Sequence, residues 1–199
     1  YTDEAVWDPG SRQLLFCGEG HGGPPRFVKY TESTNRWTVL PLPGFGPVHA
    51  YDHQAIDPVS GIYYRGRYYS REIQQYNIKH AIWTKLTDIP ASSGLGASRI
   101  TFGFEYFPEM RGLVVFLAAG GLYVYDIPKN QWRQLAGKLG QYAYHEIARY
   151  NPVHKLVVFG GGNDSKGYRS KDLWKLDASG QITKLRETPL PIGCLLYTS

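Results

Sequence analysis

Methionine occurs once in the 199 residues, at Met110, and cysteine twice, at Cys17 and Cys194. Two cysteines make no disulfide framework; Cys17, inside a strand-like run, reads as a small buried hydrophobe, and the redox compartment stays open. No apolar run approaches the ~20 residues of a membrane span, so no membrane insertion is expected. Blocks of like charge are also missing. The net charge of +5 comes from single Lys and Arg residues, and the densest set, Lys166, Arg169 and Lys171 around Tyr168, reads as a solvated loop. Nucleic-acid binding would need a basic stripe with interleaved stacking aromatics, so no nucleic-acid partner is expected. Helical periodicity is absent throughout. What the chain has in quantity is Tyr (16), Gly (23) and Pro (13), the composition of an all-β protein with many turns.

The aromatics recur at fixed offsets. Trp37, Trp83 and Trp132 each follow a tyrosine, Tyr30, Tyr76 and Tyr125, by seven positions, in the segments YTESTNRW, YNIKHAIW and YDIPKNQW. LDASGQI, Leu176 to Ile182, is a fourth copy with apolar substitutes and one residue fewer. Successive copies are 46, 49 and 50 residues apart, a period that points to stacked supersecondary units.

A second marker runs in phase. Asp8-Pro9, Asp57-Pro58, Phe107-Pro108 and Asn151-Pro152 each separate two apolar runs. Proline presets φ and cannot donate to a sheet, so each is a tight connection between strands. The runs that follow, QLLFCG, GIYYRG, GLVVFLAAGG and KLVVFGGG, are β-branched, aromatic and too short for helices. FVKY, IQQYN, LYVYD and LWKLD come next, then WTVL, WTKL, WRQL and ITKL. Every unit thus holds four strands: a, Pro turn, b, variable loop, c, short turn, d.

Repeated four-strand units describe the blades of a β-propeller. Gly160-Gly161-Gly162, Gly120-Gly121 and the looser Cys17-Gly18-Glu19-Gly20, with Tyr and Trp at fixed offsets, make the chain resemble the kelch-repeat family and, more broadly, the propeller domain of galactose oxidase-like proteins. Arg65-Gly66-Arg67 in the second copy lacks the glycine pair. The expected fold is an all-β, kelch-type β-propeller of about four four-stranded blades, a fragment of a six- or seven-bladed ring whose missing blades would be partners within the same chain. Blades are expected at residues 1–47 (opening inside strand a), 48–97, 98–141 and 142–191, with 192–199 unassigned. The resemblance favours an extracellular or periplasmic place and leaves the compartment open.

Because strands alternate in direction, the b–c loops and d–a links share one face and the Pro turns the other. Variable loops on a rigid scaffold are where binding function usually resides. On that face the sequence collects His21, His49, Tyr51, Asp52, His53, Arg65, Arg67, Tyr68, Tyr69, Arg71, Tyr144, His145, Glu146, Asn163 and Asp164. His53 and His145 lie an odd number of residues before Pro58 and Pro152, which puts both on the same side of strand a. The candidate ligand-binding residues are His49, Tyr51, His53, Arg65, Arg67 and His145.

Three roles suit this set: hydrogen-bonding of loop backbone between blades, a ligand groove, and catalysis. Tyr stacks, Arg donates in pairs and His adds a polar tip, a mix that fits a carbohydrate or a protein loop. The leading reading is a recognition module for a carbohydrate or protein ligand. The alternative is a carbohydrate-active enzyme, lyase-like, with Arg neutralising a uronate carboxylate and Tyr or His as acid and base. Copper-radical oxidation, the activity of galactose oxidase, finds no matching ligand set, and His49 and His53, four apart on a strand, do not converge as a helical pair would. GGGNDSKG lacks the strand-to-helix context of a phosphate loop. No metal site and no cofactor is expected.

Overall fold

The computed structural model describes residues 5–18, 24–44, 53–97, 101–141, 144–163 and 168–192. Their strands form four four-stranded antiparallel sheets, each built from four consecutive strands. Blade one holds β1 (Val6–Asp8), β2 (Gln13–Gly18), β3 (Arg26–Thr31) and β4 (Arg36–Val39). Blade two holds β5 (Gln54–Asp57), β6 (Ile62–Gly66), β7 (Ile73–Asn77) and β8 (Ile82–Lys85). Blade three holds β9 (Gly103–Phe107), β10 (Gly112–Leu117), β11 (Gly121–Asp126) and β12 (Gln131–Ala136). Blade four holds β13 (Tyr144–Asn151), β14 (Leu156–Asn163), β15 (Leu173–Asp177) and β16 (Ile182–Lys184). The helical segments among the described residues are three 3₁₀ turns of three residues each. The sheets stand in a ring, as the blades of a four-bladed β-propeller.

The seven-residue spacing has a simple cause. Tyr30 pairs directly with Trp37, Tyr76 with Trp83, Tyr125 with Trp132 and Leu176 with Ile182 across the c–d hairpins. The three aromatic pairs have ring centroids 5.0–5.3 Å apart, the distance at which cross-strand aromatics stabilise a sheet. The Pro turns are closed by the residue before proline. Asp8, Asp57 and Asn151 accept hydrogen bonds from the amides two and three residues on, at 3.0–3.3 Å. Phe107 has no such oxygen, and there a 3₁₀ turn, Pro108–Met110, closes the connection instead.

Among the described residues the three gaps between consecutive blades each hold an apolar core. Leu15, Cys17 and Phe27 meet Tyr63 and Tyr76; Ala55, Tyr64 and Ile73 meet Phe102, Phe104 and Leu113; Val114 and Phe116 meet Ala148, Val157 and Phe159. Trp83 lies on Phe27 of blade one (5.2 Å) and its Nε1 donates to Pro41 O at 2.8 Å. Trp132 repeats the device one blade on, donating to Thr87 O at 2.9 Å. The repeat positions predict four equivalent buried sites, but Trp37 is 61% exposed. Among the described residues no hydrogen bond of the Trp83 and Trp132 kind holds its indole.

The innermost strands β1, β5, β9 and β13 surround a cavity of about 300 Å³ lined by Ala5, Val6, Trp7, Gln54, Ile56, Glu105 and Arg149. Glu105 and Arg149 hold the same register, opposite Val114 and Val158 of their neighbouring strands, and both face this channel.

Candidate ligand face

His53 and Arg65 lie at the b–c-loop end of blade two, but inside it. Arg65 is fully buried and its Nη1 donates to His53 O (3.2 Å) and Gly66 O (2.7 Å). The ring of His53, also fully buried, stacks on Phe102 of blade three at 4.1 Å and 12°, and its Nε2 accepts from the Phe102 amide at 3.3 Å. An accepting Nε2 leaves the proton on Nδ1. Burial, then the charges of Arg65 and His145, holds the His53 imidazole well below its ordinary pKa, so it is neutral. Beside it Gln54 Oε1 accepts from Tyr63 Oη (2.6 Å) and from the Cys17 amide of blade one (3.3 Å). Cys17 itself is buried, and burial raises its thiol pKa, so it is an inert packing residue. These groups build the joint of blades one, two and three, and neither His53 nor Arg65 is presented on an open surface, unlike the exposed patch the sequence predicts.

Arg67 does reach the rim, half exposed, with Glu72 at 3.5 Å. His145 lies on the same face at the entry of blade four. Its amide donates to Thr101 Oγ1 at 2.9 Å, and that hydroxyl donates to Glu146 Oε2 at 2.9 Å, tying blade four to the β8–β9 link. His49 and Tyr51 lie outside the described residues, as do His21, Asp52 and Asp164.

Around His145 the structure assembles a group that the sequence names only in part. The Tyr144 ring lies 3.9 Å from the His145 ring, and Tyr68 of the β6–β7 loop hydrogen-bonds the Tyr144 side chain. Blades two and four therefore meet here across the ring. Arg169 lies close enough for its charge, after burial, to push the His145 imidazole down to about 4, so it too is neutral near pH 7. Arg169 reads as part of a solvated basic loop in the sequence. It lies beside the end of β14, where Gly160-Gly161-Gly162 have φ values of 147°, 69° and 97°. The Ser170 amide donates to Gly162 O at 2.8 Å and Asn163 bridges to Arg169. A Cβ on Gly161 would stand 2.8 Å from Ile192 O, so glycine is required there. The glycine run was the sequence signal for Arg169, and only the closed loop gives it meaning.

Backbone strain marks the same face. Among the described residues eight non-glycines have positive φ. Six of them recur by position in the repeat: Arg12, Arg111 and Lys155 end the Pro turns, and Asn35, Ala81 and Asn130 end the c–d turns. The other two, Tyr69 (54°) and His145 (60°), belong to no repeated turn, and both lie on the face of the b–c loops. A bulky residue held in the left-handed region costs on the order of 1–3 kcal/mol and points to a functional constraint.

Among the described residues no three His, Cys, Asp or Glu side chains converge as metal ligands, and no helix is long and apolar enough to cross a membrane. No family model and no curated protein matches the sequence. Solved structures do match the fold. A chain of the nidogen/laminin complex aligns with a TM-score of 0.65 at 10% identity, covering 92% of this chain and 63% of that one. TolB from Acinetobacter baumannii aligns at 0.61 and 14%, covering 95% and 44%, and YjhT at 0.65 and 17%, covering 95% and 66%. The chain thus spans from under half to about two thirds of the length of these proteins. At such identities the likeness is one of fold: this chain is a β-propeller.

Proposed function

We propose that the chain is a recognition module of kelch type whose ligand, a carbohydrate or a protein loop, seats on the face of the b–c loops over Tyr68, Tyr144, His145 and Arg169. The observation that carries this reading is the left-handed His145. It is strained outside every repeated turn, its ring lies against Tyr144, which Tyr68 bonds from across the ring, and it feels the charge of Arg169. Tyr and Arg offer stacking faces and paired donors, and a neutral imidazole both donates and accepts, which suits hydroxyl-rich or peptide ligands. The glycine run 160–162 and the Tyr/Trp pairs support the kelch type. The similar nidogen/laminin structure is of a protein complex, which supports a protein ligand.

The test is a glycan array and a protein-capture screen with the wild-type chain, followed by Tyr68→Ala and His145→Ala on whatever binds. Loss of affinity by about tenfold or more in both variants, with unchanged circular dichroism, is expected. Ligands that bind equally well to both variants would move the site elsewhere.

A further inference from the structure

A second feature of this face is separate from His145. The β6–β7 loop and the 91–97 segment enclose a cleft of about 380 Å³ lined by Tyr69, Ser70, Arg71, Gly94, Leu95 and Gly96, with Ala91 and Ala97 at its edges. Its two walls are pinned reciprocally: the Ile89 amide donates to Arg71 O at 2.9 Å, and Arg71 Nη1 donates to Ile89 O at 3.1 Å. That bond uses one guanidinium N–H. Among the described residues no carboxylate lies within ion-pair distance of Arg71, whereas Arg12 and Arg67 each have one. Tyr69 is 49% exposed, is the other residue held left-handed outside the repeated turns, and has its ring 6.5 Å from that of Tyr68. The opposite wall carries two glycines beside Leu95: Gly94 and Gly96 have φ of 74° and 78°, which disfavours any side chain there.

We propose that this cleft binds a single sugar ring carrying a carboxylate, of the uronic-acid class. Arg71 would take the carboxylate through its remaining paired donors, the Tyr69 ring would stack on the C–H face of the pyranose, and the glycine wall leaves room for the ring and exposes backbone to its hydroxyls. A volume at the lower end of the usual range for ligand pockets fits one ring rather than an extended peptide. The cleft adjoins the proposed central site, the Tyr69 ring lying 6.5 Å from that of Tyr68, but the carboxylate site on Arg71 uses none of Tyr68, Tyr144, His145 or Arg169.

The experiment is titration of the whole chain with glucuronate, glucose and acetate, read by NMR shifts of the Gly94, Leu95 and Gly96 amides. Glucuronate is expected to shift these amides and to bind about tenfold or more tightly than either control. Arg71→Lys keeps a donor for Ile89 O but loses the fork, and should weaken glucuronate by about tenfold. Tyr69→Gly relieves the backbone and removes only the ring, and should weaken it similarly in a fully folded protein. Arg12→Ala, at a Pro turn on the opposite face, should leave glucuronate binding unchanged. Equal binding of glucose, equal binding of acetate, saturation without shifts at these amides, or an unaffected Arg71→Lys variant would each overturn the assignment. A peptide that shifts the same amides while glucuronate does not would assign the cleft to protein recognition instead.

Discussion

Glu105 Oε2 accepts a hydrogen bond from the Tyr150 amide at 3.0 Å, so a carboxyl of one innermost strand holds the backbone of the next. Its other oxygen accepts from the Tyr106 amide at 2.8 Å. Both bonds favour the carboxylate, but burial outweighs them and raises the pKa to about 7. Between pH ~4.5 and ~7 the folded protein therefore keeps a proton that the unfolded chain releases, and stability falls as pH rises through that window. The loss amounts to at most about 3 kcal/mol. Glu105→Gln should abolish this slope while costing stability at low pH, because its amide faces a backbone N–H. Urea midpoints at pH 5 and pH 8 for both proteins check it.

Trp83 and Trp37 occupy the same repeat position in different surroundings. Trp83→Ala removes a ring packed on Phe27 and a hydrogen bond to Pro41 O, and should cost about 3–5 kcal/mol. Trp37→Ala removes a mostly exposed ring in contact with Tyr30 and should cost about 1 kcal/mol. Thermal melts of the two variants should differ by many degrees, and equal shifts would contradict the packing described.

Arg65 and Arg67 should separate cleanly. Arg65→Ala empties a fully buried site and strips donors from His53 O and Gly66 O, a loss of about 2–4 kcal/mol. Arg67→Ala removes a rim ion pair with Glu72 and should change stability by less than about 1 kcal/mol. Any ligand affected by Arg65→Ala alone, with a lowered Tm, would report unfolding and not contact.

His145 offers a direct measure of stored strain. His145→Gly keeps the positive φ without a Cβ, whereas His145→Ala keeps the strain and loses the same ring. The glycine variant should exceed the alanine variant by about 1 kcal/mol, read from denaturant midpoints. Equal stabilities would mean that the left-handed backbone carries no strain.

Acidification should weaken the joint of blades two and three. His53 is held neutral by burial, so its folded-state pKa lies below that of the unfolded chain. Its contribution is present above pH ~6.5 and is lost as pH falls below that value, because the unfolded state then takes up the proton first. His53→Gln should reduce the dependence of Tm on pH between 7 and 5, and an unchanged slope would show that His53 is not the group responsible.

The sequence by itself determined the blades. Tyr30 with Trp37 and Tyr76 with Trp83 are cross-strand partners over short turns, and the Asx-Pro turns close on their own side chains; both are local relations, visible in residue type and spacing. Only the tertiary structure decided what each blade meets. Period 2 puts His53 and His145 on one side of strand a, but not at one depth: His53 is stacked under Phe102, forty-nine residues away, while His145 sits against Tyr144 and within reach of Arg169. The same holds for Arg65, whose charge reads as a surface group until the neighbouring blades bury it, and for Trp37, which is 61% exposed while Trp83 and Trp132 bond carbonyls of the preceding links. Burial depends on contacts between blades, and those are set by sheet-to-sheet packing at long sequence separation, which no repeat spacing encodes.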